Sequence, residues 1–342
     1  MKKVLLTLVS VALVISCMFA LVACNRELPS EVSIENYGNA APVDSVVGTN
    51  IKPVTSAMAK DARAMFLNAV DNFYKSEYSS VLLLGKVVTD VKISKVTQMV
   101  ECLRLHDGDD VFMYNNSFTK EGPSFVDIKV MEKYFIDGKT GEYTILSADA
   151  KSVKIAPSAN DPEHKILKAD KWSIYEEYKD HDAYLAKYDN DPSLLNMYEL
   201  NEKIIKRIVK SPKHVTAEEA GQPMGYYEFN IEKTDAKRSF SDNGYIKVME
   251  YMLNQSVPGN VNMDKPMKLL FDKVQIWENG LFKSYTVTEG YSVKAAGIID
   301  GDIDLVSEVK FSYDRAETPM EKFFDKSKTG QERFVYDAVA VE

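Results

Sequence analysis

The stretch LLFDKVQIWENGLFKSYTVT, residues 269–288, decides the fold class. Two runs rich in β-branched and aromatic residues flank Asn279-Gly280. Asn-Gly is the strongest short hairpin signal, because a type I′ turn needs positive φ at both of its central residues. A two-residue turn at this point would set Trp277 opposite Phe282. The stretch therefore predicts an antiparallel β-hairpin.

Strand-like runs continue on both sides of this hairpin. Residues 226–232 alternate in polarity, and residues 291–299 and 303–313 form two further runs that meet at Asp300-Gly301. Short runs joined by tight turns are typical of antiparallel sheets. The C-terminal part of the chain is therefore predicted to be an antiparallel meander.

Residues 80–155 show the same signals. Asp107-Gly108 and Asp137-Gly138 mark two hairpins, and residues 81–84 are apolar at every position, as in a strand covered on both faces. The register expected from a two-residue Asp107-Gly108 turn pairs Leu103 with Phe112 and Cys102 with Met113. The segment contains neither βαβ alternation nor a glycine-rich phosphate motif.

Helical periodicity appears in three other segments. Residues 55–74 predict an N-terminal helix, residues 161–222 a helical insertion between two strand-rich halves, and residues 245–253 one more helix. Capping boxes at Thr216 and Thr318 predict a helical turn within the insertion and a short terminal helix. The residues that share a helical spacing at the start of the insertion are Ile174, Tyr178, His181, Leu185 and Tyr188. The apolar residues that could line a ligand cavity are Ile204, Ile205, Ile208, Met249, Met252 and Leu253.

The N-terminus has the layout of a secretory signal. Lys2 and Lys3 precede an uncharged apolar run, which small and aliphatic residues follow. Leu21-Val22-Ala23-Cys24 resembles the lipobox of bacterial lipoproteins. This resemblance implies removal of residues 1–23, attachment of lipid chains such as palmitate to Cys24, and a protein held on a membrane outside the cytoplasm. The alternative is a transmembrane helix, because the apolar run is close to the ~20 residues that a bilayer requires.

The residues after Cys24 predict two parts. Residues 24–53 are polar and contain three prolines, which indicates a flexible tether with a root-mean-square reach of roughly 30 Å. Residues 54–342 are long enough to bury a sizeable core and form the predicted α+β domain.

Charge and cysteine content exclude several functions. The formal net charge is −9, and it becomes −11 once Lys2 and Lys3 are removed, which disfavours binding to nucleic acid. Cys102 would be the only thiol left after processing and acylation, so no intramolecular disulfide is expected. On a strand, Cys102 is expected to be a small buried packing residue rather than a reactive thiol.

Motifs for chemistry are absent from the sequence. His106, His164, His181 and His214 lie far apart and outside any metal-ligand spacing, and no Gly-x-Ser-x-Gly motif occurs. The acidic run from Asp300 to Asp304 lacks the glycine and glutamate of a calcium loop. The sequence therefore predicts no enzyme, no metal and no cofactor.

The order of elements, together with the lipobox, resembles the LolA/LppX-like group of lipoproteins and lipoprotein carriers. That resemblance implies an α+β fold in which a curved, half-barrel-like antiparallel sheet encloses an apolar cavity with its helices. It further implies binding of a lipid or another apolar ligand. The alternative is a non-enzymatic envelope protein with a filled core, which contacts a protein or glycan through its surface. Aromatic residues near Trp172, such as Tyr175 and Tyr178, could make such contacts, although core packing is the expectation for them.

Overall fold

The computed structural model describes most of the domain. The described residues are 37–42, 50–91, 94–124, 127, 129–157, 165–180, 182–183, 186, 211–231, 261–262, 268–295, 299–328 and 330–334.

Strands dominate the described residues. They are β1 Tyr78–Val91, β2 Ser94–Asp107, β3 Asp110–Glu121, β4 Lys129–Ile136, β5 Tyr143–Ala148, β6 Val153–Pro157, β7 Lys165–Ala169, β8 Trp172–Tyr178, β9 Lys213–Val215, β10 Tyr226–Ile231, β11 Val261–Asn262, β12 Lys268–Trp277, β13 Phe282–Ala295 and β14 Ile299–Ser312. The α-helices are α1 Ala62–Lys75 and α2 Ala217–Ala220, and the 3₁₀ helices are Met58–Lys60, Met320–Lys322 and Gly330–Arg333.

One large antiparallel sheet has the order β8-β5-β4-β3-β2-β1-β14-β13-β12-β10-β9, and β11 pairs with β13. Strand β1 joins the two meanders, because it pairs with β2 on one side and with β14 on the other. The hairpin of β6 and β7 forms a separate two-stranded sheet. The predicted fold class, a curved antiparallel sheet with an N-terminal helix, is confirmed.

Helix α1 covers one face of the sheet, called here the helix-side face. Asp61 caps the helix by accepting hydrogen bonds from two backbone N–H groups of the first turn, which would otherwise lack partners. Met65, Phe66, Ala69 and Phe73 lie on one stripe and are buried against side chains of β1, β10 and β12 to β14. Burial of a large apolar side chain contributes ~1.5–3 kcal/mol, so this layer stabilises the packing of α1 on β1 and the C-terminal strands.

The opposite face is covered by the C-terminal strap, residues 318–334, and is called the strap-side face. Phe323 stacks on Phe112, and Phe324 stacks on Phe135. Farther along the same face, Val153 and Leu167 of the β6–β7 hairpin pack on side chains of β2 to β4. Strand β1 is therefore buried on both faces around residues 81–84, as the sequence predicts.

Two hairpins exist where predicted but have a different register. At the β2–β3 turn, Leu103 pairs with Tyr114 and Cys102 with Asn115, because the turn residues are Gly108 and Asp109. The whole turn lies one residue later than predicted. Gly108, which has a positive φ, therefore occupies its first position and not its second. A shift of two residues along the partner strand leaves each side chain on its expected face of the sheet.

At the β12–β13 turn, Phe282 pairs with Ile276 and not with Trp277. The backbone N–H of Trp277 donates instead to the carbonyl of Leu281, so the loop has three residues. Gly280 has a φ of 85°, which suits the left-handed position that ends such a loop.

The other two turn signals are also corrected. At Asp137-Gly138 the connection runs over residues 137–142, and the positive φ belongs to Gly141. Asp300 and Gly301 lie inside β14, because pairing with β13 extends to Ile299 and pairing with β1 extends to Gly301.

Part of the predicted helical insertion is strand. Residues 165–169 and 172–178 form β7 and β8, and residues 213–215 form β9. The predicted spacing of four between Ile174 and Tyr178 also suits a strand, because it is even. The capping box at Thr216 is confirmed. Within the insertion, residues 161–164, 181, 184–185 and 187–210 lie outside the described residues, as does the predicted helix at 245–253, whereas residues 182, 183 and 186 are helical.

The prediction of a capping box at Thr318 is wrong. A 3₁₀ turn does form at Met320–Lys322, but its cap makes no side-chain hydrogen bond. The Thr318 hydroxyl instead meets those of Ser80 and Tyr78 in the buried interior.

The predicted tether is shorter than expected on its domain side. Tyr37 is buried, and its hydroxyl donates to Ser80 Oγ at 2.6 Å. Lys52 also exchanges hydrogen bonds with Asn72 of α1. Residues 37–42 and 50–53 therefore belong to the domain, because they satisfy its buried polar groups. Residues 1–36 and 43–49, which include the predicted signal peptide and the rest of the predicted tether, lie outside the described residues.

Candidate functional site: a groove on the strap-side face

The residues that the sequence singles out as sites lie outside the described residues. This holds for Cys24, the predicted lipid-attachment residue, and for the predicted cavity-lining set Ile204, Ile205, Ile208, Met249, Met252 and Leu253. No statement about their surroundings follows from the structure.

The described part of the helix–sheet layer is filled. Phe66 of α1 lies 5.2 Å from Phe282 between ring centroids, and Phe73 lies 5.6 Å from Phe311. Phe282 and Phe311 stack on each other at 5.1 Å. Interlocked aromatic rings leave the space beneath α1 occupied, so this layer acts as a core.

An open groove of about 610 Å³ lies on the strap-side face. The strands β1, β14, β13, β12 and β10 form its floor. Its lining residues are Lys86, Val88, Asn230, Asp272, Lys273, Thr286, Asp304, Val306 and Glu308. The register explains the position, because Lys86 pairs with Val306, Val88 with Asp304 and Thr286 with Glu308.

The floor of the groove is irregular. Register shifts interrupt both β10, between Phe229 and Ile231, and β12, after Asp272. Lys273 has a φ of 49°, and it is the one non-glycine residue with positive φ in the described chain. The carbonyl oxygen of the Asn230 side chain accepts a hydrogen bond from the Lys273 backbone N–H at 2.9 Å. Bulges and left-handed residues concentrate at functional sites, where they redirect side chains.

Charged groups of both signs line the groove without neutralising one another. Within the described residues, the side chains of Lys86, Lys273, Asp272 and Asp304 form no ion pair or hydrogen bond. Glu308 has a distant partner, the Lys310 ammonium at 3.9 Å. Ammonium and carboxylate groups that remain available can both bind a ligand through charge-assisted hydrogen bonds.

The other candidate chemical groups are held in structural roles. Cys102 is buried, and burial raises the pKa of its thiol to about 12, as suits a packing residue. Burial, together with the nearby Arg104 charge, lowers the pKa of His106 to about 4. Among the described residues, no group of three histidine, cysteine or carboxylate side chains could hold a metal ion.

The aromatic residues near Trp172 divide into two kinds. Tyr178 stacks on Tyr143 at 5.9 Å between ring centroids, and its hydroxyl donates to Glu176 at 2.5 Å. Tyr175, at a register shift in β8, is 67% exposed. The expectation of core packing is therefore confirmed for Tyr178 and wrong for Tyr175.

Sequence reasoning missed the groove. Lys86 and Asp304 alternate with buried residues along their strands, which is the pattern of an ordinary solvated face. Only the pairing of β1 with β14 and the two bulges bring them together. The left-handed position in the β12 bulge is Lys273 and not a glycine, so the sequence gives no sign of the bulge.

Comparisons with known proteins give little further guidance. No family model matches the chain. No curated protein matches it either. Among solved structures, a crystal structure of a DUF1329 family protein from Desulfovibrio piger ATCC 29098 is similar at 8% sequence identity and a TM-score of 0.20, over 76% of this chain and 92% of that one. At that score the likeness bears on neither fold nor function. None of the described helices is long and apolar enough to cross a membrane.

Proposed function

We propose that this chain is a membrane-tethered binding protein that acts outside the cytoplasm, without catalysis, and holds a small polar ligand in the strap-side groove. The observation that carries the proposal is the groove itself. Its volume of about 610 Å³ falls within the ~300–1,000 Å³ typical of ligand sites.

The lining suggests the chemical class of the ligand. Asp272 and Asp304 can accept hydrogen bonds from a cationic group, while Lys86 and Lys273 can donate to an anionic one. Thr286 and Asn230 add neutral donors and acceptors. A small zwitterionic molecule satisfies both kinds of charge, whereas a purely apolar ligand would bury them unpaired at a cost of several kcal/mol.

The tether in this proposal is the lipid on Cys24. It is supported by the resemblance of Leu21-Val22-Ala23-Cys24 to a lipobox. Each buried methylene of an acyl chain contributes ~0.8 kcal/mol, so the two or three chains of a bacterial lipoprotein give a stable hold.

Binding of a lipid or another apolar ligand remains the second hypothesis. It is supported by the order of elements in the sequence, and its proposed lining includes Ile204, Ile205 and Ile208.

Native mass spectrometry of residues 25–342, purified from cells without denaturation, tests the proposal. We expect a bound small polar molecule that survives purification. Asp304→Asn should weaken its retention by roughly 10–100-fold, because a hydrogen bond to a charged group contributes ~1.5–3 kcal/mol.

Glu177→Gln is the matched control, because Glu177 is an exposed carboxylate on β8, away from the groove strands. Its ligand retention should equal that of the parent protein. A bound molecule whose retention is the same in the parent protein and in Asp304→Asn would contradict the groove as the binding site. A co-purified lipid that is lost on Ile208→Ala would favour the apolar-ligand hypothesis instead.

A further inference from the structure

The N-terminal segment makes a latch on the domain. The latch consists of residues 37–42, which cross the end of β1 and β14 at Ser80 and Phe311. Tyr37 is 1% exposed and belongs to the apolar cluster of the strap-side face, whereas Ala41 packs on the core of the helix-side face. The segment therefore passes from one face of the sheet to the other.

Specific contacts hold the latch. The Tyr37 hydroxyl donates to Ser80 Oγ at 2.6 Å, and the Gly38 backbone N–H donates to Glu317 Oε1 at 3.0 Å. Gly38 has a φ of 66°, and a Cβ on it would lie 2.5 Å from the Phe311 carbonyl oxygen. Only glycine fits this approach of two backbones.

We infer that the latch shortens the chain that connects the domain to the membrane. This connecting chain, called here the leash, runs from Cys24 to Tyr37. This inference rests on the proposed Cys24 anchor. Tyr37 is the thirteenth residue after Cys24. Thirteen residues span at most about 45 Å in any conformation. Without the latch, the 29 residues from Cys24 to Pro53 could span up to about 100 Å.

The latch also determines where the leash leaves the domain. It meets β1 at Ser80, whereas the groove uses Lys86 and Val88 of the same strand. At ~3.3 Å per residue, the groove lies about 20–25 Å farther along β1. The leash is thus attached at the end of β1 away from the groove, which leaves the groove accessible to a ligand in the aqueous space.

Proteolysis of the soluble protein, residues 25–342, tests the latch without the anchor. Chymotrypsin should cleave after Tyr37 slowly in the parent and at least about tenfold faster in Gly38→Ala, which expels the segment. Gly330→Ala is the matched control, since Gly330 has a φ of 56° with no atom near its Cβ position. Tyr37→Phe removes only the hydroxyl and should give an intermediate rate. Equal rates in Gly38→Ala and Gly330→Ala would overturn the latch.

Energy transfer in vesicles tests the leash. The full-length lipidated protein would carry a donor at Lys139→Cys, and phosphatidylcholine vesicles would carry labelled headgroups as acceptors. Native Cys102 is buried and should not react. We expect transfer to fall in Gly38→Ala and to stay unchanged in Gly330→Ala. Unchanged transfer in Gly38→Ala would overturn the leash. Failure to attach to vesicles while Tyr37 stays protected would overturn the anchor and the leash, and leave the latch standing.

Discussion

Replacing Gly280 with alanine should destabilise the domain far more than the same change at an unobstructed glycine. Gly280 has a φ of 85°, and an added Cβ would lie 2.3 Å from the Lys52 carbonyl oxygen. It would also lie 2.6 Å from Asn72 Nδ2 and 2.8 Å from Asn68 Nδ2. These two amides both donate to the Lys52 carbonyl, at 2.8 and 2.9 Å, and Asn72 also donates to the Gly280 carbonyl.

The expected loss follows from these contacts. A left-handed backbone costs a residue with a Cβ ~1–2 kcal/mol. Displacing Lys52 breaks two hydrogen bonds at ~0.5–1.5 kcal/mol each and leaves the buried Asn72 amide short of a partner. Gly280→Ala should therefore lower the free energy of unfolding by roughly 3–5 kcal/mol.

Urea unfolding, followed by the fluorescence of the buried Trp277, measures this loss. Gly221→Ala is the control, because Gly221 has a φ of 62° with no atom within 4 Å of its Cβ position. It should lose only the ~1–2 kcal/mol of the backbone term. Equal losses in the two variants would refute the contact between the β12–β13 turn and the N-terminal segment.

Two further predictions concern a partly buried histidine and the proposed anchor. Burial and the Arg104 charge lower the pKa of His106 to about 4 from the ordinary 6.5, so the unfolded chain binds a proton more readily. Stability should therefore fall by roughly 2–3 kcal/mol as the pH drops from 6.5 to 4, and His106→Gln should lack this component in urea unfolding at several pH values. If stability depends on pH in the same way in His106→Gln as in the parent protein, His106 is not the cause of the loss at low pH. Cys24→Ser should abolish incorporation of labelled palmitate and shift the protein to soluble or uncleaved forms, and continued incorporation would exclude Cys24 as the attachment site.

The sequence predicts the sheet well, because alternation and turn residues are local signals. The β12–β13 hairpin, the pairing of strands into meanders and helix α1 all follow from such patterns. The exact register of the β12–β13 hairpin does not follow from local patterns, because the contact of Asn72 with Gly280 joins residues 208 positions apart. The sequence does not reveal strand β8, because the spacing of Ile174 and Tyr178 suits a helix as well as a strand.

The tether boundary and the groove depend on long-range contacts. Tyr37 is an isolated aromatic residue among polar neighbours, and only the fold supplies Ser80 as its partner. The groove likewise depends on the pairing of β1 with β14 and on a left-handed Lys273. Neither feature has a local signature, so a single sequence could not reveal the site.

Carboxyl footprinting tests the central claim most directly, namely that a ligand occupies the groove of the protein in the membranes of the cells that make it. Carbodiimide labelling would compare protein in membranes from the cells that make it with the same protein refolded from urea without ligand. Asp272 and Asp304 should label several-fold more slowly in the membranes than after refolding, relative to Glu177 as the internal standard. Labelling ratios that are the same in both preparations would contradict a ligand in the groove.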